Sequence, residues 1–267
     1  MIQIHQMSKH TPKPIDQFLP DLNHPDLKTR REAVKGLRQS KNPDAFPYLI
    51  AALKDEAVSV LIHAIRGLDE LGDSHAIPAL IQRLDRASCD VCDEVGAALV
   101  SFGDEAVPHL LTALTAPHPR VRAVSISCLN SLDVAEAIEP IATLLNDPDP
   151  MVIGAALKAL WDFNDPRSRD SLVRFIGQTP SAISPEDVFD KQREAAFALA
   201  ELGDERALDV LAKSFSHPEN RRCIDTIRQL GKIDSPRVRP LIEAYITEDP
   251  DSTCASQARA TLANTTL

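Results

Sequence analysis

Aromatic side chains are scarce, at 4% of 267 residues, too few for the packing of a typical β-sandwich or barrel. Glycine is thin as well, nine in the whole chain, which leaves little material for a glycine-rich nucleotide loop. No run approaches the roughly 18 consecutive apolar residues of a membrane span, and the first residues lack the apolar core of a secretory signal. A basic excess is missing too: 29 Lys and Arg stand against 39 Asp and Glu, a net charge of −10. Wholesale binding to a nucleic-acid backbone calls for the opposite sign. Five cysteines (Cys89, Cys92, Cys128, Cys223 and Cys254) are an odd, thinly spread set that reads as reduced thiols. These absences lead us to expect a soluble, cytoplasmic protein that neither inserts into a membrane nor binds nucleic acid.

What the sequence does contain is a repeat. The leucines that close successive apolar-periodic stretches are Leu37, Leu68, Leu99, Leu129, Leu160, Leu199 and Leu230, in steps of 31, 31, 30, 31, 39 and 31 residues. A second landmark, the first core residue of the stretch that follows, falls at Leu49, Leu80, Leu110, Ile141, Leu172, Leu211 and Ile242. It keeps the same beat and the same excess of eight residues at the same place. Four residues before each closing leucine stands a small or short side chain: Ala33, Ala64, Val95, Ser125, Ala156, Ala195 or Thr226. That spacing puts both on one helical face and lets two helices approach closely. Gly72-Asp73, Gly103-Asp104, Asn164-Asp165-Pro166 and Gly203-Asp204 supply a left-handed residue and then a capping carboxylate. Pro47, Pro78, Pro108 and Pro240 suit the first turn of a second helix.

Each unit is therefore a helix pair, and a pair this small cannot bury its apolar face alone. The expectation is an all-α, right-handed α-solenoid of about seven helix pairs, closed by a terminal helix near Ser256–Leu262. The units resemble HEAT repeats, specifically the phycobilisome-lyase HEAT-like (E/F-type) family, through an "A-LG-DP-A-P-L--L" cadence best matched at Ala64–Leu84 and Ala195–Leu211. Residues 1–20 read as a flexible lead-in, residues 21–264 as a single solenoid, and residues 177–190 as a loop insertion that accounts for the eight extra residues.

In such a fold the second helices line the concave surface. Their unburied positions carry Tyr48, Gln82, Arg83, His109, Thr112, Thr143, Leu144, Arg174, Phe175, Lys213 and Tyr245, with no Asp or Glu among them. The expected site is a mildly basic groove formed by Arg83, Arg174 and Lys213, with His109 alongside and Tyr48, Phe175 and Tyr245 as amphipathic anchors. Its partner would be another protein with an acidic or mixed surface. The alternative is that Arg and Lys merely snorkel along an apolar face.

Catalytic signals are weak. Cys89 and Cys92 form a C-x-x-C pair, but a zinc site needs two further ligands and no second pair follows at ligand spacing. His24, His118 and His217 each precede a proline and read as loop punctuation. His-Glu dipeptides, the mark of the HEAT-like diiron hydroxylases, are missing, as are G-x-S-x-G, Walker and H-E-x-x-H motifs. The primary expectation is a non-catalytic adaptor or assembly factor without a cofactor. The resemblance implies the alternative, a bilin lyase or chromophore-handling chaperone acting on a phycobiliprotein, with bilin as its ligand.

Overall fold

The computed structural model describes residues 14–178, 183–213, 220–248 and 253–264, all helix, turn or coil. The expected repeat is present as seven helix pairs and a closing helix among these residues. The pairs are α1 (Leu27–Ser40) with α2 (Phe46–Ala52), α3 (Val58–Leu71) with α4 (Ile77–Arg83), and α5 (Cys89–Ser101) with α6 (Val107–Ala113). Then come α7 (Pro119–Ser131) with α8 (Ile138–Thr143), α9 (Pro150–Phe163) with α10 (Arg169–Ile176), and α11 (Pro185–Glu201) with α12 (Leu208–Lys213). Last are α13 (Asn220–Leu230) with α14 (Val238–Glu248), and α15 (Thr253–Asn264). The chain divides into two compact units, residues 1–128 and 129–267, rather than the single block expected; the boundary falls inside α7.

Both landmark rows are core. All seven closing leucines and all seven of their second-helix counterparts are at most 1% exposed, and the seven short residues four before the closing leucines are buried as well. In the first unit α1 packs on α3 and α3 on α5; in the second, α9 packs on α11, α11 on α13 and α13 on α15. Polar pairs tie these first helices together at their outer rims. Arg38 Nε meets Glu70 at 2.8 Å and Arg66 Nε meets Glu94 at 2.8 Å in the first unit. Asn130 donates to Asp162 at 2.8 Å in the second, where Lys232 also pairs with Glu201. Trp161 packs its ring against Phe197 of the next first helix, 5.7 Å between centroids.

Turn chemistry recurs with the repeat. Four residues past the closing leucine the backbone turns left-handed at Lys41, Gly72, Gly103, Asp133, Asn164 and Gly203. Asn42, Asp73, Asp165 and Asp204 then accept the N–H two residues on and start a 3-10 turn into the second helix. The Arg167 side chain, followed by its N–H, holds the Asp165 carboxyl at about 2. Pro47, Pro78 and Pro108 sit in the first turn of their helices. His24 and His118 are loop punctuation, each accepting the N–H two residues later through Nδ1; His217 lies outside the described residues.

A second device braces two of the loops between pairs. Seven residues before the closing leucine, Arg30 donates to the carbonyls of His24 (3.0 Å) and Pro25 (3.1 Å), and Arg122 does the same to Ala116 (2.8 Å) and Pro117 (3.0 Å). Arg30 also grips Asp55 through Nε at 2.7 Å and Nη2 at 3.3 Å, and Asp55 accepts the Ala57 N–H at 2.8 Å.

Two boundary expectations are corrected. The lead-in is not wholly loose: Ile15 is buried, and Phe18 lies against Gly36 so closely that a Cβ there would overlap its ring. Residues 1–13 lie outside the described set. The last six residues of the insertion, 185–190, are helix, because Ser184 caps α11 at Pro185 and lengthens it to 17 residues, against 13 or 14 in the first helices before it. Residues 179–182 lie outside the described set.

Two measurements test this framework. Nothing lies within 4 Å of a Cβ added at Gly72, so Gly72→Ala isolates the cost of a left-handed Cβ. Urea unfolding should show a loss of about 1 kcal/mol, and Lys41→Gly a smaller gain. Burial raises the Asp55 carboxyl, but the Arg30 side chain and the Ala57 N–H outweigh it, leaving the carboxyl below its usual range. A depressed folded value stabilises above the unfolded one and is lost as pH falls through the folded one. Asp55→Asn should therefore lower stability by about 1–2 kcal/mol at neutral pH and flatten the acid limb of a stability–pH curve.

Candidate functional site

The seven groove residues divide between the two units. In the first, Tyr48 is half-buried on α2 in the wall of a cavity of about 500 Å³, shared with Leu22, His24, Lys54 and the Arg30–Asp55 brace. The brace spends the charges of Arg30 and Asp55 on each other, while Lys54 and Glu56 also line the wall. Arg83 is half-buried as the last residue of α4 and has no hydrogen-bond or ion-pair partner among the described residues. It lies close enough to the Cys92 thiol at the start of α5 to favour its ionised form, as Arg120 does more strongly. His109 is exposed on α6.

In the second unit Arg174 on α10 and Lys213 on α12 are exposed, while Phe175 and Tyr245 are buried, at 2% and 8% exposure. The two aromatics are core residues, not surface anchors. Their position, three residues past the second-helix landmark, is a rim site where a polar chain reaches out and a ring folds inward. Arg83 occupies the same position in α4 and stays half-exposed. No hydrogen bond, ion pair or ring contact among the described residues joins any two of Tyr48, Arg83, His109, Arg174 and Lys213.

The acid-free surface is confined to the first unit, whose helices α2, α4 and α6 contain no Asp or Glu. In the second unit Glu139, Asp170, Asp209 and Glu243 stand exposed on the second helices. Asp209 engages Arg237 at 2.8 Å, and Arg206 lies 3.8 Å from Asp170. Glu139, Asp170 and Asp209 take the first-turn place of a proline on α8, α10 and α12, where a carboxylate suits the helix dipole, and Glu243 follows the landmark Ile242 on α14; counting only the groove positions passed over all four.

Sequence reading also missed the loop brace, which only two pairs carry. Seven residues before the closing leucine stand Arg30 and Arg122 in the first and fourth pairs, but Leu61, Cys92, Ile153, Gln192 and Cys223 in the others; in the third pair Ala87 O of the preceding loop accepts from Arg120. Aligning the seven pairs on their leucines would have revealed it. No helix among the described residues is long and apolar enough to cross a membrane.

A family profile described as HEAT repeats matches residues 15–100, 107–184 and 184–263. The chain is 31% identical over 181 residues to the phycocyanobilin lyase subunit alpha of Pseudanabaena tenuis, covering 58% of this chain and 65% of that one, just under two thirds of its length. It is 22% identical over 171 residues to an uncharacterized phycocyanin operon protein Z from the same organism, covering 61% of this chain and 85% of that one. Among solved structures, Escherichia coli YibA superposes with a TM-score of 0.58 at 16% identity, covering 94% of this chain and 93% of that one, a likeness of fold alone. With its repeat landmarks buried at every pair and the profile running over nearly the whole chain, the protein belongs to the HEAT-repeat family and has phycobilisome-lyase-like relatives.

Proposed function

We propose that the chain is a non-catalytic adaptor or assembly factor that holds a phycobiliprotein subunit against the second helices of its first unit. The observation that carries this reading is the uncompensated face of α2, α4 and α6: no acid stands on it in a chain of net charge −10, and Arg83 has no partner among the described residues. A surface of that kind favours an acidic or mixed protein partner through steering and register more than through raw affinity. Tyr48 contributes a half-buried ring with a polar tip, the amphipathic type that recurs at binding hot spots. The partner class rests on the likeness to the phycocyanobilin lyase subunit.

The same likeness favours a second reading, a bilin lyase or chromophore-handling chaperone. There Arg83 would meet a bilin propionate and Tyr48 would line the path of the rings. The two readings differ in what they bind: an adaptor takes the protein subunit and leaves free bilin alone, whereas a lyase shifts the absorption of free phycocyanobilin.

Calorimetric titration with a purified phycobiliprotein subunit separates these outcomes. Arg83→Glu should weaken binding about 5- to 20-fold, in the range of one charge reversal at an interface. The double variant Arg174→Glu/Lys213→Glu, in the second unit, should leave it unchanged. Equal binding by wild type and Arg83→Glu would remove the face from the account, and no binding at all would remove the partner class. A shifted absorption spectrum with free phycocyanobilin would favour the lyase.

A further inference from the structure

Independently of that reading, we propose that Cys89 and Cys92 form a two-electron dithiol–disulfide couple at the start of α5, oxidised by small-molecule disulfides such as glutathione disulfide. Cys89 is the first residue of α5 and is exposed; Cys92 is half-buried one turn on; neither is in a disulfide. Residues three apart on an α-helix stand with their Cα atoms about 5 Å apart, inside the 4.4–6.8 Å range that a disulfide spans. Cα separation is thus already suitable without moving the backbone.

The repeat explains why both thiols are available. Cys89 takes the register of Leu27 and Val58, which are 45% and 37% exposed at the starts of α1 and α3, so this position faces solvent by architecture. Cys92 shares its register with the bracing Arg30 and Arg122 but also with Leu61, Ile153, Gln192 and Cys223, and its own loop is held by Arg120 on Ala87 O. No brace depends on the Cys92 thiol. Burial is the main influence on that thiol and pushes it up, as Cys89 and Asp93 do, with Arg120 and, more weakly, Arg83 acting against them. This suits a resolving thiol that waits for its neighbour to react first. Cys128 provides an internal contrast, since burial alone raises it to about 12.

The Cys89 thiolate attacks one sulfur of the small disulfide, forms a mixed disulfide and expels one small thiolate. The Cys92 thiolate then attacks Cys89 Sγ, closes the Cys89–Cys92 bond and expels the second. Two electrons pass from the protein to the small disulfide, and the two protons of the dithiol end on the two released thiols.

The test uses the full chain carrying Cys223→Ser, equilibrated across glutathione redox mixtures, acid-trapped and mapped by mass spectrometry. The expected product is loss of two hydrogens, in one transition, from the tryptic peptide that follows Arg86. With Cys92→Ser added, the reaction should stop as a glutathione adduct on Cys89, and release of the second thiol should slow by at least about tenfold. If the Cys223→Ser chain instead retains a lasting adduct on Cys89, or if neither cysteine reacts in excess glutathione disulfide, the couple does not exist.

Discussion

A two-helix unit of some thirty residues has an apolar stripe on each helix and no third element to cover it. Its stability therefore depends on the next unit, which must arrive in the same register. The row of short residues four before each closing leucine makes that contact possible. Ala33, Ala64 and Ala156 are buried along with the leucines they precede, and a long side chain there would hold the first helices apart. The left-handed turn, the Asx-started 3-10 segment and, in two pairs, a loop-bracing arginine return the chain to that contact. Truncating one closing leucine to alanine in such a row removes about 2–5 kcal/mol, felt mainly by the adjoining pairs.

The same periodicity explains how much could be read from the sequence. Leu37 through Leu230 and Leu49 through Ile242 were identifiable because burial on a repeating helix pair is decided by spacing alone, and every one of them is core. The turns were legible for a related reason: glycine or asparagine followed by aspartate has one inexpensive conformation at a helix end. Asp104 marks the limit, since its turn begins without a side-chain cap.

The site was harder to read because spacing fixes the rim positions without fixing which way a side chain turns. Arg83, Phe175 and Tyr245 share one register, yet arginine keeps its head toward solvent while the two rings pack inside. Side-chain chemistry decides the outcome there. Glu139, Asp170 and Asp209 stand in the proline register and Glu243 just past its landmark, so all four escaped a search confined to the groove register. What remains is a smaller surface than expected, restricted to α2, α4 and α6, with an arginine unpaired among the described residues, an exposed histidine and a half-buried tyrosine. Fold alone assigns no role to such a surface; its charge against the acidic remainder of the chain is what singles it out.

The most direct test of that assignment is hydrogen–deuterium exchange of the whole chain with and without a saturating phycobiliprotein subunit. The account predicts slower exchange in peptides from α2, α4 and α6, with the first helices and the second unit unchanged. Protection confined to the first helices, or to α8, α10 and α12, would contradict it.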